Sequence, residues 1–438
     1  MTGQGIKPRV FVFLHQGFGL RRWRERRAQG EALPATPYGY HYAADACELD
    51  YSVDRDEGRV GLLLRQAMLR TLGFNLSHAW HNRRALFDAD VVWTHTEHEH
   101  LAAALLLRLF RHRKRPLLLA QSIWLADGWP SFPAWKRRLY RWLMVRADAL
   151  TVLSSENRQV LQALLPGRPV EQVYFGIETD VLPPAPVRSA APMASRPLRV
   201  LAIGNDRHRD WVTLRQALAN LDGVEVRLIN RSLTREFTVG IDNIELRPPS
   251  TPKDIPDAYA WADLLVVPLK PNLHASGITV ILEGISQGLP VLCSDTGGLR
   301  DYFSEDQIGY VATGDAQALR AAVEGCIRDY PACVERASRA LRRLEEAGFT
   351  AQGFARQHVT ITQRMLGAQR RRGVPPEAPR VVAALATGSD APSGGIESRR
   401  ADPSPPVRNR AHDDGSDRSG NASDTAAWLS AVPSPRRP

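Results

Sequence analysis

Along the chain, short unbroken apolar runs alternate with longer segments in which apolar residues recur every three or four positions. The runs at residues 9–14, 89–94, 116–120, 147–154, 198–204, 224–230, 262–268 and 289–293 have the length and the Val, Ile and Leu content of buried strands, with shorter ones at 244–246 and 308–311. Helical spacing fills 60–74, 101–110, the stretch from Trp129 to Met144, the segment from Ser155, and 255–261, 278–285, 315–328, 332–346 and 357–371. Strand and helix therefore alternate on both sides of residues 183–197, which are rich in Pro, Ala and Ser and read as a linker. The pattern predicts an α/β protein of two Rossmann-like, doubly wound domains, 8–182 and 198–350, with a cleft between them. Residues 351–372 read as a final helix, and 373–438 as a disordered tail dominated by Pro, Ser, Gly, Asp and Arg.

One stretch organises the second domain. The strand at 262–268 is followed by a loop, 272–277, that delivers Ser276 and Gly277 to the start of a helix carrying Ile278, Ile281, Leu282 and Ile285 on one face. A helix start offers unpaired N–H groups and the positive end of the dipole, and Gly277 lets a ligand come close to the backbone; together they make a phosphate seat. Glu283, farther along beside Gly284, offers a carboxylate to sugar hydroxyls. An ordinary strand–helix–strand crossover with a Ser cap fits the same spacing.

In the first domain, strand one runs into His15-Gln16-Gly17-Phe18-Gly19, a ligand turn by position. The dinucleotide pattern G-x-G-x-x-G is not completed, because Arg22 stands in the third glycine place; a hydride-transfer enzyme is disfavoured. The strand at 89–94 ends in His95-Thr96-Glu97-His98-Glu99-His100, where α/β sheets place ligands. The order of these residues is not that of a zinc helix and no other Cys/His cluster completes a site, so no metal is expected. Acceptor binding or acid–base work by His95 or Glu97 is the sharper expectation. Arg209, in the turn after the strand at 198–204, reads either as a solvated basic turn or as a phosphate ligand.

Residues 274–291, followed by Ser294-Asp295-Thr296-Gly297-Gly298, resemble the donor-binding segment of GT-B glycosyltransferases of the retaining family 4: a small-residue loop, a helix with Glu before a small residue, Gly-x-Pro-Val and a Gly-Gly turn. The resemblance implies transfer of a sugar from a nucleotide-sugar to an acceptor hydroxyl, with retained anomeric configuration and without a metal or other cofactor. It implies that Ser276, Gly277, Ile278 and Thr279 hold the donor diphosphate, that Glu283 binds the nucleotide ribose, and that Gly17 and Gly19 face the donor across the cleft. Arg209 stands where the family has a diphosphate-clamping Lys, and Asn205 where it has an Arg. The family's usual first Glu is Ala275 here; His274 beside it is the candidate substitute at the sugar. Gln121 or Ser122 stands where many members carry a His, and Phe175 where they carry an Asn.

Composition narrows the partners. The 438 residues carry a formal net charge of +10, so an anionic partner is expected. Four Cys without a Cys-x-x-Cys pair point to free thiols in a reducing, cytoplasmic compartment. No secretory signal and no apolar run of membrane-spanning length is apparent. Between Trp129 and Met144, Trp129, Phe132, Trp135, Tyr140 and Trp142 interleave with Lys136, Arg137, Arg138 and Arg141. This fits peripheral attachment to an anionic membrane surface, with a glycan or lipid-linked acceptor. It equally fits a core helix that buries Trp135, Leu139 and Trp142. Two rivals to glycosyl transfer are a non-hydrolysing nucleotide-sugar epimerase on the same fold, and a basic nucleic-acid-binding protein. Scattered Arg and the lack of a recognition motif speak against nucleic acid as a partner.

Overall fold

The computed structural model describes residues 7–29, 34–110, 115–190, 196–250 and 253–371; the tail expected over 373–438 lies outside them. Two six-stranded sheets carry the chain. The first holds β1 (Arg9–Phe13), β2 (Glu48–Tyr51), β3 (Val91–Thr94), β4 (Leu117–Gln121), β5 (Ala149–Val152) and β6 (Val170–Gln172), in the order β2-β1-β3-β4-β5-β6. The second holds β7 (Leu198–Ile203), β8 (Val224–Ile229), β9 (Ile244–Leu246), β10 (Leu264–Val267), β11 (Val291–Ser294) and β12 (Gly309–Val311), in the order β12-β11-β10-β7-β8-β9. All pairings are parallel. Strands with both faces covered by helices need continuous apolar sequence, and the central ones have it. The edge strand β2, Glu-Leu-Asp-Tyr, buries only Tyr51 and therefore gives no apolar run.

Each sheet reverses its order once, between β1 and β3 and between β7 and β10. At such a switch point neighbouring crossovers leave on opposite faces, and a crevice opens at the strands' C-terminal ends. An apolar cluster joins the two halves, from Val12 and Trp93 through Phe349 and Phe354 to Leu265 and Ile281. The helix Ala351–Arg371 contributes to it: Trp93 donates its indole N–H to Thr362 Oγ1 at 2.8 Å, and Phe354 and His358 pack on Tyr40. Gly176 admits the backbone of Thr350, which a Cβ there would meet at 2.1 Å. The four cysteines are free and buried.

Two helices differ from expectation. The one predicted from residue 101 begins at Glu97, because Thr96 and Glu99 form a capping box. Hence Glu97 to His100 are a first helical turn, not a strand-tip loop. The one read from Trp129 starts at Ala134, after Pro133, which suits a helix start but not an interior. It buries Tyr140, Leu143 and Met144, while Trp135 and Trp142 face outward, so the reading that buried those two tryptophans is corrected. No helix among the described residues is long and apolar enough to cross a membrane.

Candidate active site

The switch point of the second sheet is built from the loops after β7 and β10. After Ile203 the chain passes Gly204 and turns at Asp206 to Asp210, which caps the helix Trp211–Leu218 by accepting the Thr213 amide at 3.1 Å. Arg209 folds back from this turn. It is buried, and its Nε donates to the Ile203 carbonyl at 3.2 Å. Its guanidinium runs between two glycines: a Cβ on Gly204 would lie 1.9 Å from Nε, and one on Gly277 would lie 2.7 Å from Nη1. The side chain fits only because both positions lack a Cβ.

The second loop is shaped by Asn272, whose Oδ1 accepts the amides of His274 at 3.3 Å and Ser276 at 3.1 Å. Ala275 donates its amide to Gly297 at 2.8 Å and adopts a left-handed φ of 55°, unusual for a residue with a Cβ. Gly277 follows at φ 82° as the N-cap of the helix Ile278–Ser286. A helix start leaves its first-turn amides without intrahelical acceptors, and Thr279 and Val280 of that turn line the cavity with Arg209. Asp206, Arg209, His274, Ser276, Gly277 and Thr279 line the cavity from this side; Ile123, Trp124 and Leu153 close it from the first half.

His274 is the electrostatic centre. Its Nδ1 lies 2.8 Å from Asp127 Oδ2, which belongs to the first half, and its Nε2 lies 3.6 Å from Asp206 Oδ2, which belongs to the second. Burial works against a charged imidazole, but hydrogen bonding and attraction to the two carboxylates prevail, so its pKa is raised. Against the same burial cost, His274 lowers Asp127, and His208, His274 and Arg209 hold Asp206 far below the carboxylate range. Asp127 also accepts the Leu273 amide at 2.8 Å, and Asp206 accepts the Ser276 hydroxyl. Among the described residues, Asp127, His208 and His274 bring ligand-type atoms within 4.8 Å of one another. Asp127 comes from the first half and both histidines from the second, so the group ties the two halves together.

Comparison with known proteins decides the family. Residues 36–181 match the model described as Glycosyltransferase Family 4, and residues 193–329 match that described as Glycosyl transferases group 1. The chain belongs to these glycosyltransferases. No curated protein matches the sequence significantly. Among solved structures, sucrose-phosphate synthase from Thermosynechococcus elongatus is similar with a TM-score of 0.62 at 18% identity, covering 82% of this chain and 100% of that one. α,α-Trehalose 6-phosphate synthase from Burkholderia multivorans follows at 0.58 and 12%, covering 85% and 100%. Anabaena HepE in complex with UDP-glucose gives 0.56 and 15%, covering 83% and 99%. The shared fold is GT-B.

Within this glycosyltransferase, the cavity gathers five of the residues singled out from sequence: Arg209, His274, Ser276, Gly277 and Thr279. The others lie elsewhere. Ile278 gives its amide to the Ala275 carbonyl at 3.1 Å and its side chain to the core, so it does not offer that amide to a ligand. Glu283 is buried away from the cavity lining and accepts the Tyr259 hydroxyl at 2.7 Å; burial lifts its carboxyl to about 7 against that bond. The amides of Gly17 and Gly19 donate to the two oxygens of Asp54 at 2.8 and 3.0 Å. His95 is not in the cavity: it stacks on Tyr38 at 3.4 Å and bonds Tyr40, and burial pushes it down to about 3, which keeps it neutral. Glu97 acts on the cavity indirectly, by accepting the amides of Ile123 at 3.1 Å and Trp124 at 3.3 Å. Sequence reasoning passed over Asp127, Asp206 and Asn272. An Asp-Gly pair after a strand end and an Asn opening a loop were the available signals.

Proposed function

We propose that this glycosyltransferase moves a sugar from a nucleotide-sugar to an acceptor hydroxyl with retention, without a metal. The observation that carries the reading is the buried Arg209 guanidinium, threaded between Gly204 and Gly277 at the N-terminus of the helix Ile278–Ser286. That pairing of a cation with helix amides is an anion seat, and it lies at a switch-point crevice where α/β folds bind ligands. The complex of HepE with UDP-glucose supports a nucleotide-sugar as the occupant. In the reaction the bond between the sugar's anomeric carbon and the diphosphate oxygen breaks, with the electron pair going to that oxygen. The acceptor oxygen bonds to the same carbon from the same face, and its proton passes to the departing diphosphate. Arg209, the helix amides and His274 stabilise the charge that develops there. Ser276 and His274 exchange Asp206 for phosphate oxygens as the donor enters.

The acceptor in this reading is a lipid-linked glycan at the cytoplasmic face of a membrane. The exposed Trp135 and Trp142 beside exposed Arg137, Arg138 and Arg141 support it.

Thermal shift with UDP-, GDP- and ADP-sugars tests the donor site, since a ligand that binds only the folded state raises its melting temperature. A shift with one nucleotide-sugar, lost in Arg209→Ala, is expected; no shift from a well-folded wild type overturns the reading. Conversion of the donor with no acceptor present would make the protein an epimerase instead.

A further inference from the structure

The helix Arg59–Thr71 has no buried residue. Yet Val60, Leu63, Leu64 and Ala67 follow the i, i+3, i+4, i+7 spacing of a core-facing stripe. Here the stripe points to solvent: Val60 is 71% exposed, Leu63 65% and Leu64 59%. A monomer in water gains nothing from such a row, so the face is built to be covered. Its surroundings say by what. Arg59 and Arg70 are exposed beside the stripe, and residues 59–71 contain no acid. At the helix's far end, the Leu72 carbonyl accepts the Tyr140 hydroxyl at 2.6 Å, which joins it to the helix Ala134–Met144 and its exposed Trp135, Arg137, Arg138, Arg141 and Trp142. At its near end, Asp56 draws in Arg21 and Arg22 at 3.8 Å each.

We propose that the helix Arg59–Thr71 lies in the headgroup region of an anionic bilayer, its Val60–Leu63–Leu64 stripe inserted and the flanking arginines on lipid phosphates. An apolar stripe inside a basic frame is what a negatively charged membrane surface complements. A symmetric contact between two copies through this face would set the arginines of one against those of the other. The inference rests on the membrane part of the proposed function and adds the element that inserts.

The test is flotation of the full chain with vesicles of phosphatidylcholine alone and of phosphatidylcholine mixed equally with phosphatidylglycerol. Wild type should float with the anionic vesicles only. Leu63→Glu with Leu64→Glu should lower the partition coefficient by about tenfold or more, since two exposed leucines leave the interface without disturbing the core. Arg59→Gln with Arg70→Gln should weaken it less. The melting temperature and the nucleotide-sugar shift of both variants should match wild type. If the leucine variant floats like wild type, this helix does not insert, while membrane attachment through the tryptophan helix survives. If wild type floats with neither vesicle, both ideas fall. A wild type that stays off vesicles but self-associates, with the association lost in the leucine variant, would make a second copy the occupant and overturn the proposal.

Discussion

The two switch points of this glycosyltransferase have the same topology and different chemistry. In the first, between β1 and β3, the chain supplies its own counter-groups. Asp54 takes the Gly17 and Gly19 amides. Glu99 bonds Thr96 and sits 3.4 Å from His15, which with His98 brings its carboxyl down to about 2 although burial alone would raise it. In the second, between β7 and β10, the Arg209 guanidinium, the His274 imidazole, Asp206 and a helix start line a cavity, while Glu283, buried outside that lining, is raised to about 7 by burial. In the first crevice carboxylates answer backbone amides and a histidine; in the second a buried guanidinium and two histidines share the carboxylates of Asp127 and Asp206. A GT-B half can thus keep the fold's ligand-binding geometry and fill it with structure.

The sharpest way to break this contrast is Arg209→Ala. It should cost about 3–4 kcal/mol of transition-state stabilisation, read as a fall of 10²–10³ in kcat/KM, with the nucleotide-sugar shift abolished. Unchanged kinetics would remove the second crevice as the donor site.

The two glutamates should then respond with opposite sign. Glu99 is held below its ordinary pKa of 4.5, so its stabilisation is present above that value and is lost as pH falls toward 2. Glu99→Gln should lower stability by about 2–3 kcal/mol at pH 7 and by little near pH 2. Glu283 is raised, so the folded protein holds its proton longer than the unfolded chain does, and stability declines between pH 4.5 and about 7. Glu283→Gln should therefore stabilise by about 2–3 kcal/mol at pH 8 and not at pH 4. Denaturant melts across this range decide it, and slopes of equal sign would refute the contrast.

Gly277→Ala sharpens it further. The new Cβ strains a left-handed residue and pushes on the guanidinium, which should weaken donor affinity by about tenfold, or 1–2 kcal/mol. Smallest is Asp54→Ala. Losing the cap on Gly17 and Gly19 should cost about 1 kcal/mol of stability and leave the donor shift unchanged. A gain in donor affinity would instead mean that Asp54 screens a second anion seat.

Much of this arrangement was legible from local sequence. The apolar runs marked the central strands, and Ser276-Gly277 after β10 marked the helix start, because both signals lie within a dozen residues. Other features escaped for definite reasons. β2 is a half-polar edge. The Thr96–Glu99 capping box was written in the sequence, but a dense run of His and Glu drew a chemical reading instead. The Asp54 seat on Gly17 spans 37 residues, and the Asp127 contact to His274 spans 147. No local pattern encodes such pairings; the first follows from β1 and β2 being neighbours in one sheet, and the second bridges the two sheets.

The returning helix Ala351–Arg371 has a consequence for how the protein is made. The indole of Trp93 waits for Thr362, which is 269 residues later in the chain. At about 5–20 residues per second, that is roughly 10–50 s of synthesis during which the wall of Tyr40 and Trp93 stands open on a nascent chain. The first half cannot finish on the ribosome as it emerges. Its completion is deferred to the last helix, and a chain released before residue 351 would carry that aromatic wall uncovered into the cell.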